Sequence, residues 1–168
     1  MGLSVGSSVA GGVEDVLYQH NWMNQSVGEW GMGVHIKTRV QYGGYIRNIA
    51  YLDNYFLTAG VPGGAIHIES GYQSKGQCNA TGMPGACTAI SGIVLRNLTF
   101  VNVDGAGELQ CFPNVPCRNI TVEDVHITTS RTGWGCSGVA SGTFKNVTIG
   151  QHGESFDMAK SCNLSHGS

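Results

Sequence analysis

The chain has 168 residues, of which 41% are apolar and 12% charged, and its formal net charge is −2. That length suits a single domain, 1–168, able to bury roughly 70% of its unfolded surface. Near-neutrality gives nucleic acid no electrostatic footing, no apolar run approaches the ~20 residues of a membrane-spanning helix, and the apolar share is too ordinary for disorder.

Glycine reaches 26 residues, about twice its average share of ~7%. Val and Ile together number 26 against 8 Leu, a composition of strands rather than helices. The fold class is all-β.

Taken in chain order, two families of short segments interleave. The first runs Leu3-Ser4-Val5, then Val34-His35-Ile36-Lys37, then Ile66-His67-Ile68-Glu69. Apolar and polar residues alternate in it, so Ile36 takes one face while His35 and Lys37 take the other. The second family centres on Asn or Asp: Val13-Glu14-Asp15-Val16, Ile46-Arg47-Asn48-Ile49, Leu95-Arg96-Asn97-Leu98, Cys117-Arg118-Asn119-Ile120 and Phe144-Lys145-Asn146-Val147. Its Asn/Asp positions are 33, 49, 22 and 27 residues apart, and the long step holds a Gly/Pro/Ser-rich stretch at about 57–90 that reads as an inserted loop. Irregular steps with several short strands each describe the coils of a parallel β-helix. Asn suits the turns because it tolerates left-handed backbone. A sandwich would need hairpin signals every 8–12 residues, and Asp104-Gly105 alone qualifies.

Six cysteines, Cys78, Cys87, Cys111, Cys117, Cys136 and Cys162, lack zinc-site spacing. Cys111-Phe-Pro-Asn-Val-Pro-Cys117 suits a local disulfide, and Cys136 with Cys162 would staple the C-terminal tail. Sequons begin at Asn24, Asn79, Asn97, Asn119, Asn146 and Asn163, three of them explained by the repeated Asn position, the others favouring a secreted glycoprotein. No signal peptide is visible in residues 1–30, so Met1 reads as an internal or artificial start.

The blocks Gly2-Leu-Ser-Val-Gly-Ser7, Gly33-Val-His-Ile-Lys-Thr38, Gly43-Gly-Tyr-Ile-Arg-Asn-Ile49, Ile66-His-Ile-Glu-Ser-Gly-Tyr72 and Pro116-Cys-Arg-Asn-Ile-Thr-Val-Glu-Asp124 resemble, in order and approximate spacing, the polygalacturonases of glycoside hydrolase family 28. The resemblance implies a right-handed parallel β-helix that inverts and hydrolyses galacturonan or a related pectic polymer. It also implies that the family's catalytic Asn-Thr-Asp and Asp-Asp blocks lie upstream of the first block matched here. The chain therefore reads as a C-terminal portion, with no catalytic residue of its own.

Inverting hydrolysis needs an acid and a base ~6.5–9.5 Å apart. The adjacent pairs Glu14-Asp15 and Glu123-Asp124 are expected to point to opposite faces as solvated turn residues, so no replacement dyad is visible. Carried over residue by residue, the resemblance implies substrate contacts from Lys37 and Tyr72. His35 stands where the family has Arg, which weakens the grip on a sugar acid. Glu69 is expected to pair with Lys37. Trp22, Trp30 and Trp134 are candidates for sugar-stacking platforms, Trp30 above all, but such residues more often cover core edges and are read that way. His35, His67 and His126 are read as outward strand residues without acidic or Cys partners at ligand spacing, so no metal or cofactor is expected, and a lyase-like calcium site cannot be assembled. The implied partner is a pectic polysaccharide or oligogalacturonide, for a monomeric, extracellular protein. The rival reading is a non-catalytic carbohydrate-binding β-helix.

Overall fold

In the computed structural model, which describes residues 2–24, 32–40, 42–57, 64–72, 78 and 87–164, every coil contributes to two sheets. The first carries β1 (Leu3–Val5), β4 (Val34–Lys37), β6 (Gly64–Glu69), β8 (Gly105–Gln110) and β10 (Trp134–Ser137), adjacent in that order. The second carries β2 (Val13–Gln19), β5 (Tyr45–Leu57), β7 (Ala89–Val103), β9 (Arg118–Thr129) and β11 (Gly142–Ile149), with β3 (Trp22–Asn24) added beside β5. All of these strand pairs are parallel. Two parallel sheets visited alternately by one chain make a parallel β-helix. One short helix, α1 (Met158–Ser161), follows the last strand, and Asp157 caps it by accepting from the Lys160 N–H.

The long strands of the second sheet turn corners without ending. In β5 the buried residues are Ile46, Ile49, Tyr51, Asn54 and Phe56, so simple alternation fails twice, at Asn48 and Asp53. Both have left-handed backbone, with φ of 55° and 54°. A single left-handed residue puts two successive side chains outside and bends the strand. Each coil repeats the device, giving one column of corners at Asp15, Asn48, Gly92 and Asn119 and a second at His20, Asp53, Asn97, Asp124 and Asn146, all with positive φ.

The register corrects the repeat read from sequence. Asn97 and Asn146 share a column, but Asn119 belongs to the other. What aligns with Ile46–Ile49 is Ile90–Ile93, whose corner residue is Gly92. Glu14 and Asp15 likewise do not face opposite ways. Because Asp15 is left-handed, both are exposed, and Glu14 bonds Arg47 and the Tyr45 hydroxyl.

Residues 57–90 are not one loop either. β6 passes through them, with Ala65, Ile66 and Ile68 fully buried. The added length falls on either side of it, partly outside the described residues.

The interior is a set of like-on-like columns. Ile36, Ile68 and Leu109 stack through the first sheet, Ile49, Ile93 and Ile120 through the second. Phe56 and Phe100 are parallel with ring centroids 4.6 Å apart. Asn54 is a buried polar residue whose amide is bonded at both ends: Oδ1 accepts from the backbone and side chain of Asn21, and Nδ2 donates to the Tyr18 carbonyl, as burial of an amide demands. Disulfides join Cys78 to Cys87, Cys111 to Cys117, and Cys136 to Cys162. Among the described residues no helix is long and apolar enough to cross a membrane.

Candidate functional site

The outer face of the first sheet gathers the chemistry. Parallel register stacks Ser4, His35, His67 and Glu108 in one outward row, and Lys37, Glu69 and Gln110 in the next. His35 and Lys37 point away from the core, yet are only 3% and 8% exposed. A solvated lysine would not be so covered.

Tyr72 packs against both His35 and Lys37. The turn after β6 is held to the end of β4 by a bond from the Tyr72 N–H to the Thr38 carbonyl. Thr38 is anchored in turn, donating to the Thr88 hydroxyl, which donates to the Gly43 carbonyl. So placed, the Tyr72 ring lies 4.5 Å from the Lys37 ammonium and 5.9 Å from the Arg39 guanidinium, with His35 edge-on at 5.7 Å. Two cations beside one aromatic ring combine cation–π attraction with positive potential.

The carboxylates on this face are bound to imidazoles. Glu69 Oε1 lies 3.3 Å from His35 Nε2, and Glu108 Oε1 lies 3.5 Å from His67 Nδ1. The expected Lys37–Glu69 pair does not form. Although the two residues are direct neighbours across the strands, Glu69 turns to His35 and Lys37 turns to Tyr72. Burial holds the His67 imidazole below its ordinary pKa, against the upward pull of Glu108 and Glu69 and with a further push down from His35. One oxygen of Glu69 and one of Glu108 lie within 4.8 Å of each other. Beyond them, a cavity of about 240 Å³ opens along Glu69, Ser70, Gly71, Gln110, Phe112 and Ser137.

The structure thus brings His35, Lys37 and Tyr72 together. It places His126 elsewhere, exposed on the second sheet beside Thr148. Trp22 covers no core edge: it is 70% exposed and stacks on Tyr55 at 4.3 Å. Trp134 does pack against the core, and Trp30 lies outside the described residues. Asn24, Asn97, Asn119, Asn146 and Asn163 are exposed, while Asn79 lies outside the described residues. Sequence reading missed Arg39, Glu108 and Gln110. Arg39 follows Lys37 by two residues, a signal that was available. Glu108 and Gln110 meet the site only through strand register, which insertion lengths conceal.

The family model for glycosyl hydrolases family 28 matches residues 1–148. The chain belongs to that family. No curated protein matches it, and no solved structure does.

Proposed function

We propose that the outer face of the first sheet binds the acidic sugars of a pectic polysaccharide in an extracellular setting. The observation that carries this reading is the convergence of Lys37 and Arg39 on the Tyr72 ring. A galacturonate presents a carboxylate for the cations and a ring face for the tyrosine, and Lys37 and Tyr72 are the substrate contacts. His35 sits behind them, its Nε2 occupied by Glu69, and acts by holding that carboxylate away from Lys37. Three disulfides and exposed sequons favour an oxidising compartment and a glycoprotein.

The same reading separates binding from catalysis. The five aspartates lie away from this face: Asp15, Asp53 and Asp124 at strand corners, Asp104 paired with Arg131, and Asp157 capping α1. With Glu69 and Glu108 engaged by His35 and His67, these residues supply the sugar contacts but not the acid and base. The test is calorimetric titration of an oligogalacturonide and of a neutral oligogalactan into wild type, Lys37→Ala and Tyr72→Leu, with reducing-sugar release followed in parallel. Binding of the acidic oligomer alone, lost in both variants and unaccompanied by hydrolysis, is the expected result. Equal affinity for the neutral oligomer refutes the charge recognition, and hydrolysis by wild type above Lys37→Ala refutes the separation.

A further inference from the structure

We propose that His67, Glu69 and Glu108 form a binding site for a divalent first-row transition-metal ion, of which Zn²⁺ is the natural probe. Sequence spacing shows only half of it, because Glu69 follows His67 by two residues on one strand whereas Glu108 comes from the next coil. Parallel pairing makes His67 and Glu108 direct neighbours on β6 and β8, and alternation puts Glu69 on the same face. One ligand atom from each of the three lies within 4.8 Å of the others.

Three further observations favour a built site over a chance meeting. First, each carboxylate is held from behind: Gln110 Nε2 donates to Glu108 Oε2 at 2.5 Å, and His35 Nε2 lies 3.3 Å from Glu69 Oε1. Partners of this kind orient ligating oxygens and tune affinity. Second, room is kept for the imidazole: a Cβ on Gly64 would stand 2.1 Å from His67 Nε2. Third, the side chains are sheltered without being sealed, at 17% exposure for His67 and Glu69 and 28% for Glu108. Two carboxylates brought this close repel one another, and a dication relieves that repulsion.

The donor set decides the ion. One imidazole nitrogen with two carboxylates suits Zn²⁺ or its first-row neighbours, whereas Ca²⁺ prefers six or more oxygens. Three protein ligands also leave a coordination position open, and Glu69 borders a cavity on its far side. Metal binding stands independently of the sugar reading, since it is measured with no sugar present.

The experiment uses the whole chain, stripped with a chelator, dialysed and titrated with Zn²⁺ by calorimetry. One-to-one saturable binding is expected, weakened about tenfold or more by Glu69→Gln and by Glu108→Gln, and unchanged in His126→Asn. For any variant that fails to fold, Mn²⁺ added to wild type reports by NMR: selective broadening of the His67 and Tyr72 ring signals supports the site. Absence of saturable heat, insensitivity to both Glu variants, or broadening centred on His20, His126 or His152 overturns it.

Discussion

Asn97 offers a direct measurement of what the corners of this helix cost. Its backbone is left-handed, with φ of 51°, and its amide donates to Asp53 Oδ1 at 2.7 Å. Asn97→Ala and Asn97→Gly delete the same hydrogen bond, so that loss cancels between them and the backbone decides. Alanine in the left-handed region costs about 1–2 kcal/mol. Glycine adopts it freely but gives up about 0.5–1 kcal/mol through the greater freedom of its unfolded chain. The glycine variant should therefore be the more stable, by about 0.75 kcal/mol at the centre of these ranges. Ala50, in the same sheet with no positive φ, supplies the control, because Ala50→Gly should lose about 0.5–1 kcal/mol as glycine ordinarily does in a strand. Urea unfolding of unglycosylated protein with its disulfides intact is the assay. At a slope of about 2 kcal/mol per molar urea, the two Asn97 variants should differ by about 0.4 M in midpoint. An alanine variant as stable as the glycine variant would refute the assignment of Asn97 as a strained corner.

Asp53 predicts a pH dependence. Its carboxyl is held below the ordinary range, chiefly by the Asn97 amide, then by Gln19 and by the charge of His20. A depressed native pKa means stability that is complete above the unfolded value near ~3.9 and disappears as pH falls through the lower native value. The gap in urea midpoint between wild type and Asn97→Gly should thus close on acidification below about pH 4, and a gap indifferent to pH would contradict this. Phe100→Ala removes a fully buried ring stacked on Phe56 and should cost about 3–5 kcal/mol in the same assay. Replacing Cys136 and Cys162 by serine opens a link across 26 residues that ties β10 to the end of α1. Thermal unfolding should then show a loss of about 2–4 kcal/mol.

Much of the architecture is legible in the chain because the alternation in Val34–Lys37 and Ile66–Glu69 is clean, and because Asn and Gly mark the corners. Register is another matter. The coils of β2, β5, β7 and β9 in the second sheet each have two left-handed positions five residues apart, such as Asn48 and Asp53 or Gly92 and Asn97. Glycine and asparagine are interchangeable there, so a motif of Asn between apolar residues fits either column. With Gly92 in the first, Asn97 matches Asn48 by sequence and Asp53 in space. At the site, Lys37, His35 and Tyr72 emerge from resemblance to a family. The turning of Glu69 from Lys37 to His35 does not, since it depends on side-chain directions around a tyrosine delivered by the following coil. Glu108 is further hidden by the long excursion before β7, which no periodicity bridges.

The corners also explain how this framework generates Asn-x-Thr sequons. At a left-handed Asn the side chain faces solvent, the next residue turns into the core, and the one after faces out again. Asn97-Leu98-Thr99, Asn119-Ile120-Thr121 and Asn146-Val147-Thr148 all follow this order, with Leu98, Ile120 and Val147 buried. Threonine is a favoured outward strand residue, so folding requirements alone spell the acceptor tripeptide. Asn97 and Asn146 share one column with Asp124 between them, which spaces their roots two strand widths apart, about 10 Å. Their amide nitrogens already donate to Asp53 and Asp124. Passage through a glycosylating secretory pathway would therefore hang two sugar trees side by side along one edge of the helix, from the same atoms that tie its coils together.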